Sequence, residues 1–254
     1  GIPCDMQRII KIAKKNKIKV IEDCSQSHGA KIDNKLVGTF GDISVWSFCN
    51  DKIISTLGEG GMISTNKKLI AKKLWSLKDN GKNYDKFYNQ SNLNNFKYIH
   101  DYIGTNARMT ELQAVAGIYQ LNQLKSYVEK RNLIAKTYDK ILSESSLYKA
   151  IPINPNNTCA YYKFPFLIEL KKTKKKYNYQ VIMNYLGSIR KGVTVGCCPD
   201  ISKELQYKNH KIELPNAKKI SQKLISFSIN HRMKINDVIK DANRIKSYFD
   251  QICI

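Results

Sequence analysis

Asp23 stands just past an apolar run at residues 18–21, and Gln26 and His28 follow it closely. A second apolar run, residues 43–48, carries Ser47 near its end. Lys52 comes soon after, and Gly58, Glu59, Gly60 and Gly61 lie beyond. A carboxylate at one strand end, a hydroxyl and an amine at the next, and a glycine turn behind them are what pyridoxal phosphate chemistry needs. The amine forms a Schiff base with the aldehyde, and a carboxylate beside the pyridine nitrogen keeps it protonated. The ring can then accept electrons from a substrate carbanion, while the hydroxyl is a natural donor to the phosphate. Spacing alone does not single out Lys52 in a chain so full of lysines. The glycine run lacks the third glycine of a G-x-G-x-x-G fingerprint.

The elements that position these groups read as α/β. Met6, Ile9, Ile10 and Ala13 share one face of a helix. Residues 18–21 then predict a strand with a polar tip at Glu22 and Asp23. Gly38, Gly41 and Asp42 predict a turn, residues 43–48 a second strand, and residues 62–65 a third, entered through the glycines. In open α/β sheets ligands sit outside the carboxyl ends of the strands, which is where Asp23 and Gln26 fall.

A long amphipathic helix is expected from Thr110 to about Ser143, with Leu112, Val115, Ala116, Tyr119, Leu124 and Val128 on its apolar face. Tyr162, Phe164, Phe166, Ile168 and Leu170 alternate along a strand. A helix near residues 179–186, strands near Val193 and residues 225–229, and a closing helix at 236–249 complete a second αβ layer. The expected domains are residues 1–135 and 136–254. There is no internal repeat.

Composition excludes more than it assigns. The chain has 254 residues, 42% of them hydrophobic and 25% charged, which rules out wholesale disorder. Its formal net charge of +22 would suit a nucleic acid, yet most of the lysines are scattered. The one dense run, Lys171, Lys172, Lys174, Lys175 and Lys176, has no aromatic platform and reads as a solvated loop, so no nucleic-acid partner is expected. Asn92, Asn94 and Asn95 belong to a general bias toward Lys, Ile and Asn.

Seven cysteines (Cys4, Cys24, Cys49, Cys159, Cys197, Cys198 and Cys253) form no C-x-x-C pair and read as reduced, cytoplasmic thiols. His28, His100, His210 and His231 are too dispersed for a local metal motif, so no metal is expected. No run approaches the roughly 20 apolar residues of a membrane span, and no charged-then-apolar leader opens the chain. Beginning with Gly at a sheet-to-helix connection, the chain reads as having lost what preceded it.

Residues 20–30 (VIEDCSQSHGA), 38–52 (GTFGDISVWSFCNDK) and 58–62 (GEGGM) closely resemble the DegT/DnrJ/EryC1/StrS family of sugar aminotransferases. Residues 77–82 (LKDNGK), 100–114 (HDYIGTNARMTELQA) and 117–121 (GIYQL) resemble its later signatures in the same order. The resemblance implies a fold-type I, aspartate-aminotransferase-like architecture: a large domain with a mainly parallel sheet, then a smaller C-terminal αβ domain. It implies pyridoxal 5′-phosphate as cofactor. Lys52 would carry the aldimine and shuttle the proton, and Asp23 would pair with the pyridinium nitrogen. Gln26 would contact the ring near its phenolic oxygen, and Ser47 would bind phosphate. Asn106 would reach the phosphate of a neighbouring subunit, making a homodimer obligatory.

The implied reaction passes an amino group, with glutamate as donor, to a nucleotide-activated keto-sugar in bacterial surface polysaccharide, lipopolysaccharide or deoxysugar synthesis. Other readings of single residues stand beside these. Asn106 could order the loop before a capping box made by Thr110 and Gln113. Arg108 could pair with a carboxylate, and His28 could be a packing residue.

The sequence departs from the family at Asn80, where His is usual, and at Asn230-His231, where His-Pro is usual. Roughly the first third of the family's chain is expected to be missing, which could leave this chain inactive. A non-catalytic basic binding or assembly protein on the same fold is the alternative, and a pyridoxal phosphate-dependent dehydratase is disfavoured by Lys52.

Overall fold

In this computed structural model the described residues are 1–89, 99–196, 200–207, 209 and 212–254. Asn92, Asn94, Asn95, Cys197, Cys198 and His210 lie outside them. In chain order the first elements are α1 (Met6–Lys15), β1 (Ile21–Asp23), β2 (Lys31–Ile32), β3 (Lys35–Leu36), β4 (Ile43–Ser47) and β5 (Gly61–Ser64). Then come α2 (Lys68–Lys78), α3 (Tyr84–Asn89), α4 (Glu111–Leu142), β6 (Tyr148–Ala150), β7 (Asn157–Thr158) and β8 (Lys163–Ile168). The last are α5 (Tyr179–Ile189), β9 (Val193–Thr194), α6 (Pro215–Ser221), β10 (Leu224–Ser228) and α7 (Ile235–Ile252).

Two compact units divide the chain. One comprises residues 2–125 and 156–158; the other comprises 126–155 and 159–254 together with Gly1. The division falls inside α4, the helix that also contains residue 135.

In the first unit β1 pairs parallel with β4, and β5 adds antiparallel on the other side of β4. The long excursion between β1 and β4 allows a parallel return, whereas the glycine turn folds β5 straight back. The strand expected at 18–21 begins only at Ile21, so Glu22 and Asp23 lie within it and not beyond it. The cause is a clasp at Val20, whose N–H donates to Asp42 Oδ2 at 2.8 Å and whose carbonyl accepts from the Asp42 amide at 2.8 Å. Ile18 and Ile21 are left 60% and 63% exposed.

In the second unit an antiparallel sheet runs in the order β6-β8-β10-β9. Residues of β8 alternate as the sequence predicts: Phe164, Phe166 and Ile168 are buried, and Phe164 sits opposite Phe227 of β10. The core adds Tyr138 and Leu142 of α4, Ile182 and Leu186 of α5, and Ile245 and Phe249 of α7. Arg190 is buried there against Asp241 at 2.7 Å, with its guanidinium 4.4 Å from the Phe227 ring centroid. The lysine run at 171–176 is exposed, as expected of a solvated loop.

The helix expected from Thr110 to about Ser143 is α4, but its apolar face is covered only in part. Val128 is buried, but Leu112, Val115 and Tyr119 are 71%, 65% and 67% exposed. Their spacing is that of a buried stripe, yet among the described residues nothing covers it.

Candidate active site

Alternation along β1 sends two adjacent acids to opposite faces. Glu22 is buried and Asp23 is exposed. The Glu22 carboxylate accepts three backbone N–H groups, from Gly38 at 2.7 Å, Phe40 at 2.7 Å and Gly41 at 2.6 Å. It therefore fixes the turn that launches β4. Parallel register then sets Asp23 opposite Val45, with Ser47 farther along β4 at the same end of the sheet.

Asp23 Oδ1 accepts the Ser25 N–H at 3.0 Å. The side-chain and backbone bonds from Ser25, with a smaller contribution from the charge of Lys52, hold this carboxyl below the usual range. Gln26 follows, half-buried.

Lys52 lies on the loop after β4, its N–H donating to the Cys49 carbonyl at 3.0 Å. Its side chain is 14% exposed, and Nζ lies 3.6 Å from Asp51. The loop is closed by Phe48 N–H to the Gly60 carbonyl at 2.8 Å and Thr56 N–H to the Phe48 carbonyl at 3.1 Å. Gly60 is required here, because a Cβ would stand 2.1 Å from Thr56 Oγ1. Gln113 and Gln120 of α4 pin the same loop at the Glu59 carbonyl (2.9 Å) and the Ser55 N–H (3.0 Å).

His28 is 2% exposed, with its ring 5.4 Å from Trp46 and 5.8 Å from Phe48, a packing residue as one reading expected. Burial, helped by the positive charge of Lys52, lowers its pKa to about 4. The Ser47 backbone opposes the shift more than Lys52 adds to it, yet neither ring nitrogen has a partner at hydrogen-bond geometry.

Asn106 sits apart from this group. It is exposed, bridged through its backbone to Asp79, and no described contact joins it to Asp23, Ser47 or Lys52. The capping reading applies to its neighbours: the Thr110 N–H donates to Gln113 Oε1 at 3.0 Å and the Gln113 N–H to Thr110 Oγ1 at 3.4 Å. Arg108 pairs with buried Asp79 at 3.8 Å, as one reading expected, and Lys82 reaches the same carboxylate at 3.0 Å. Asn80 adopts a positive φ of 58° just before Gly81.

Asp23, Ser47 and Lys52 thus share one end of a sheet, with Gln26 and His28 close by in sequence and Asn106 on a separate loop. Glu22, Ser25 and Thr56 support that arrangement without having been singled out. Glu22 carried a signal only in its alternation with Asp23, which a reading of both acids as a polar tip concealed.

The family model described as DegT/DnrJ/EryC1/StrS aminotransferase family matches residues 1–246. The GDP-perosamine synthase of Escherichia coli O157:H7 is 41% identical over 140 residues, covering 55% of this chain and 35% of that protein. Uncharacterized protein MJ1066 of Methanocaldococcus jannaschii is 31% identical over 249 residues, covering 97% of this chain and 64% of its own length. Among solved structures, an aminotransferase from Psychrobacter cryohalolentis superposes with a TM-score of 0.92 at 31% identity. That match covers 98% of this chain and 66% of that one. The chain therefore spans about one to two thirds of the relatives it matches.

Proposed function

Because the chain belongs to the DegT/DnrJ/EryC1/StrS aminotransferase family, we propose that its site holds pyridoxal 5′-phosphate and transfers an amino group to a nucleotide-activated keto-sugar, with glutamate as donor. The observation that carries this reading is that the Asp23 carboxylate and the mostly buried Lys52 amine lie at the carboxyl end of the parallel strands β1 and β4, near enough for the charge of Lys52 to act on Asp23. The donor set fits the cofactor. It offers a mostly buried amine, a carboxylate kept ionised, and a hydroxyl at a strand end beside glycines.

Bound there, the pyridine ring supplies an electron sink for the reacting carbon. Asp23 holds a proton on the ring nitrogen, since its lowered pKa keeps it anionic at neutral pH. Ser47 donates to the phosphate, and Gln26 orients the ring near its phenolic oxygen. Lys52 Nζ would carry the proton from the donor's α-carbon to the cofactor in the first half-reaction, and from the cofactor to the sugar carbon that bore the ketone oxygen in the second.

Similarity to a protein named for GDP-perosamine supports a sugar nucleotide as acceptor, in surface polysaccharide, lipopolysaccharide or deoxysugar synthesis. The exposed stripe Leu112, Val115 and Tyr119 begins just after Asn106. That continuity supports a homodimer in which Asn106 serves the phosphate held by the second copy. Five free described cysteines support work in the cytoplasm. No helix among the described residues is long and apolar enough to cross a membrane.

The test is to mix the chain with pyridoxal phosphate, record its visible spectrum, reduce with borohydride and map the label by mass spectrometry. Selective label on Lys52, absent from Lys52→Arg, is the expected result. A colourless protein with label scattered over many lysines overturns the reading.

A further inference from the structure

The strands that carry Asp23 and Ser47 have a second end. There, between the last turns of α1, the segment leading into β1 and the turn before β4, lies a cavity of about 470 Å³. Ser47 lies five residues beyond Asp42 of this lining, about 16 Å at the rise of a strand. The cavity therefore belongs to neither the Lys52 loop nor the glycine turn.

Its lining combines two kinds of side chain. Ile10, Ala13, Ile18, Val20 and Phe40 form an apolar part, and Ile18 is 60% exposed with nothing described packed over it. Lys14, Lys17, Lys19 and Lys67 form a cationic part, and Asp42 is the one acid on the lining. Four ammonium groups against one carboxylate leave three positive charges.

Asp42 is already committed. Oδ2 takes the Val20 N–H at 2.8 Å, while Oδ1 takes Lys67 and lies 3.8 Å from Lys19. These bonds hold its carboxyl below the usual range, so it stays an anchor for two of the lysines. Among the described residues, Lys14 and Lys17 of the lining make no ion pair.

We propose that this cavity is a nucleotide site distinct from the active site, taking a heteroaromatic base on Ile10, Ile18 and Phe40 and phosphates on Lys14, Lys17 and Lys67. The volume lies in the range of small-molecule sites, roughly 300–1,000 Å³. A lining that offers both apolar side chains and several ammonium groups matches a ligand that carries both a flat apolar part and a polyanionic part. Inorganic phosphate would leave the apolar side chains uncovered, and a plain hydrophobic ligand would leave the lysines unused.

The probe is ATP, and the readout is lysine acetylation of the full chain quantified by mass spectrometry. Labelling at Lys14, Lys17 and Lys67 is expected to fall at least fivefold with ATP, while the exposed Lys171, Lys172 and Lys174 remain unchanged. By calorimetry the Lys14→Gln/Lys17→Gln variant is expected to weaken ATP binding at least tenfold. Three results overturn the proposal: protection spread evenly over all lysines, protection by inorganic pyrophosphate as strong as by ATP, or unchanged affinity in the double variant. Borohydride labelling of Lys52 is indifferent to each, so a failure here leaves the aminotransferase reading standing.

Discussion

His28 must stay neutral for the first unit to keep its packing, and that requirement makes stability depend on pH. Its folded-state pKa of about 4 lies below the ordinary value of 6.5, so the unfolded chain binds the proton more tightly. Stability is complete above pH 6.5 and falls as the pH drops from 6.5 toward 4, by about 2 kcal/mol at pH 5. His28→Phe keeps an aromatic ring against Trp46 and Phe48 and removes the titration. Urea unfolding at pH 7 and pH 5 should show most of that acid-induced loss disappearing in the variant, and an equal loss in both proteins would rule His28 out as the source.

Asp23 acts in the same direction, at lower pH. Its lowered pKa contributes stability that is present above the ordinary carboxylate value and lost as the pH falls through the lowered one. Ser25 is the largest cause, so Ser25→Ala should move the Asp23 titration, followed by carboxyl carbon NMR, up toward 3.8. Lys52→Met should move it less. These two residue types were legible in the sequence as a carboxylate and an amine at successive strand ends. Ser25 was not, because a serine after an aspartate is common in loops and only the fold shows which oxygen accepts its N–H.

Among the elements, β1 shows why a run of apolar residues can mislead. Ile18 and Ile21 looked like strand core but are exposed, while Glu22, which looked like part of a polar tip, is buried and binds three amides. The pattern could not reveal this, because the partners of Glu22 lie far along the chain at Gly38, Phe40 and Gly41. Glu22→Ala would leave three N–H groups without their acceptor, each costing about 1–3 kcal/mol if it stays dry. Thermal or urea unfolding should therefore show a loss of at least about 3 kcal/mol, with Glu22→Gln intermediate because one carbonyl oxygen remains. A Glu22→Ala protein as stable as the parent would mean that water replaces the carboxylate at little cost. By contrast β8 was legible, since its inward residues alternate without exception and meet a matching strand, β10. The capping box at Thr110 was legible too, because both of its partners lie within one helical turn.

For the whole molecule the open question is what covers α4. Its apolar period was read correctly from sequence, but a period says only that a face wants burial, not which surface supplies it. Leu112, Val115 and Tyr119 remain exposed in the single chain, and a second copy is the occupant the proposed function requires. Charge opposes that association. Each copy carries a formal +22, so two copies repel at low salt and screening should relieve the repulsion, while apolar burial between them persists. Sedimentation should accordingly show a dimer that tightens as salt rises from about 0.01 to 0.15 M, the range over which the Debye length falls from about 30 to 8 Å. Tyr119→Asp, which would bury a carboxylate without a partner, should yield monomers at every salt concentration. Asn106→Ala leaves the stripe intact and should retain the dimer while weakening cofactor retention. If Tyr119→Asp leaves the mass unchanged, the stripe does not mediate self-association; if the parent is already monomeric while Lys52 still labels selectively, Asn106 has no second copy to serve.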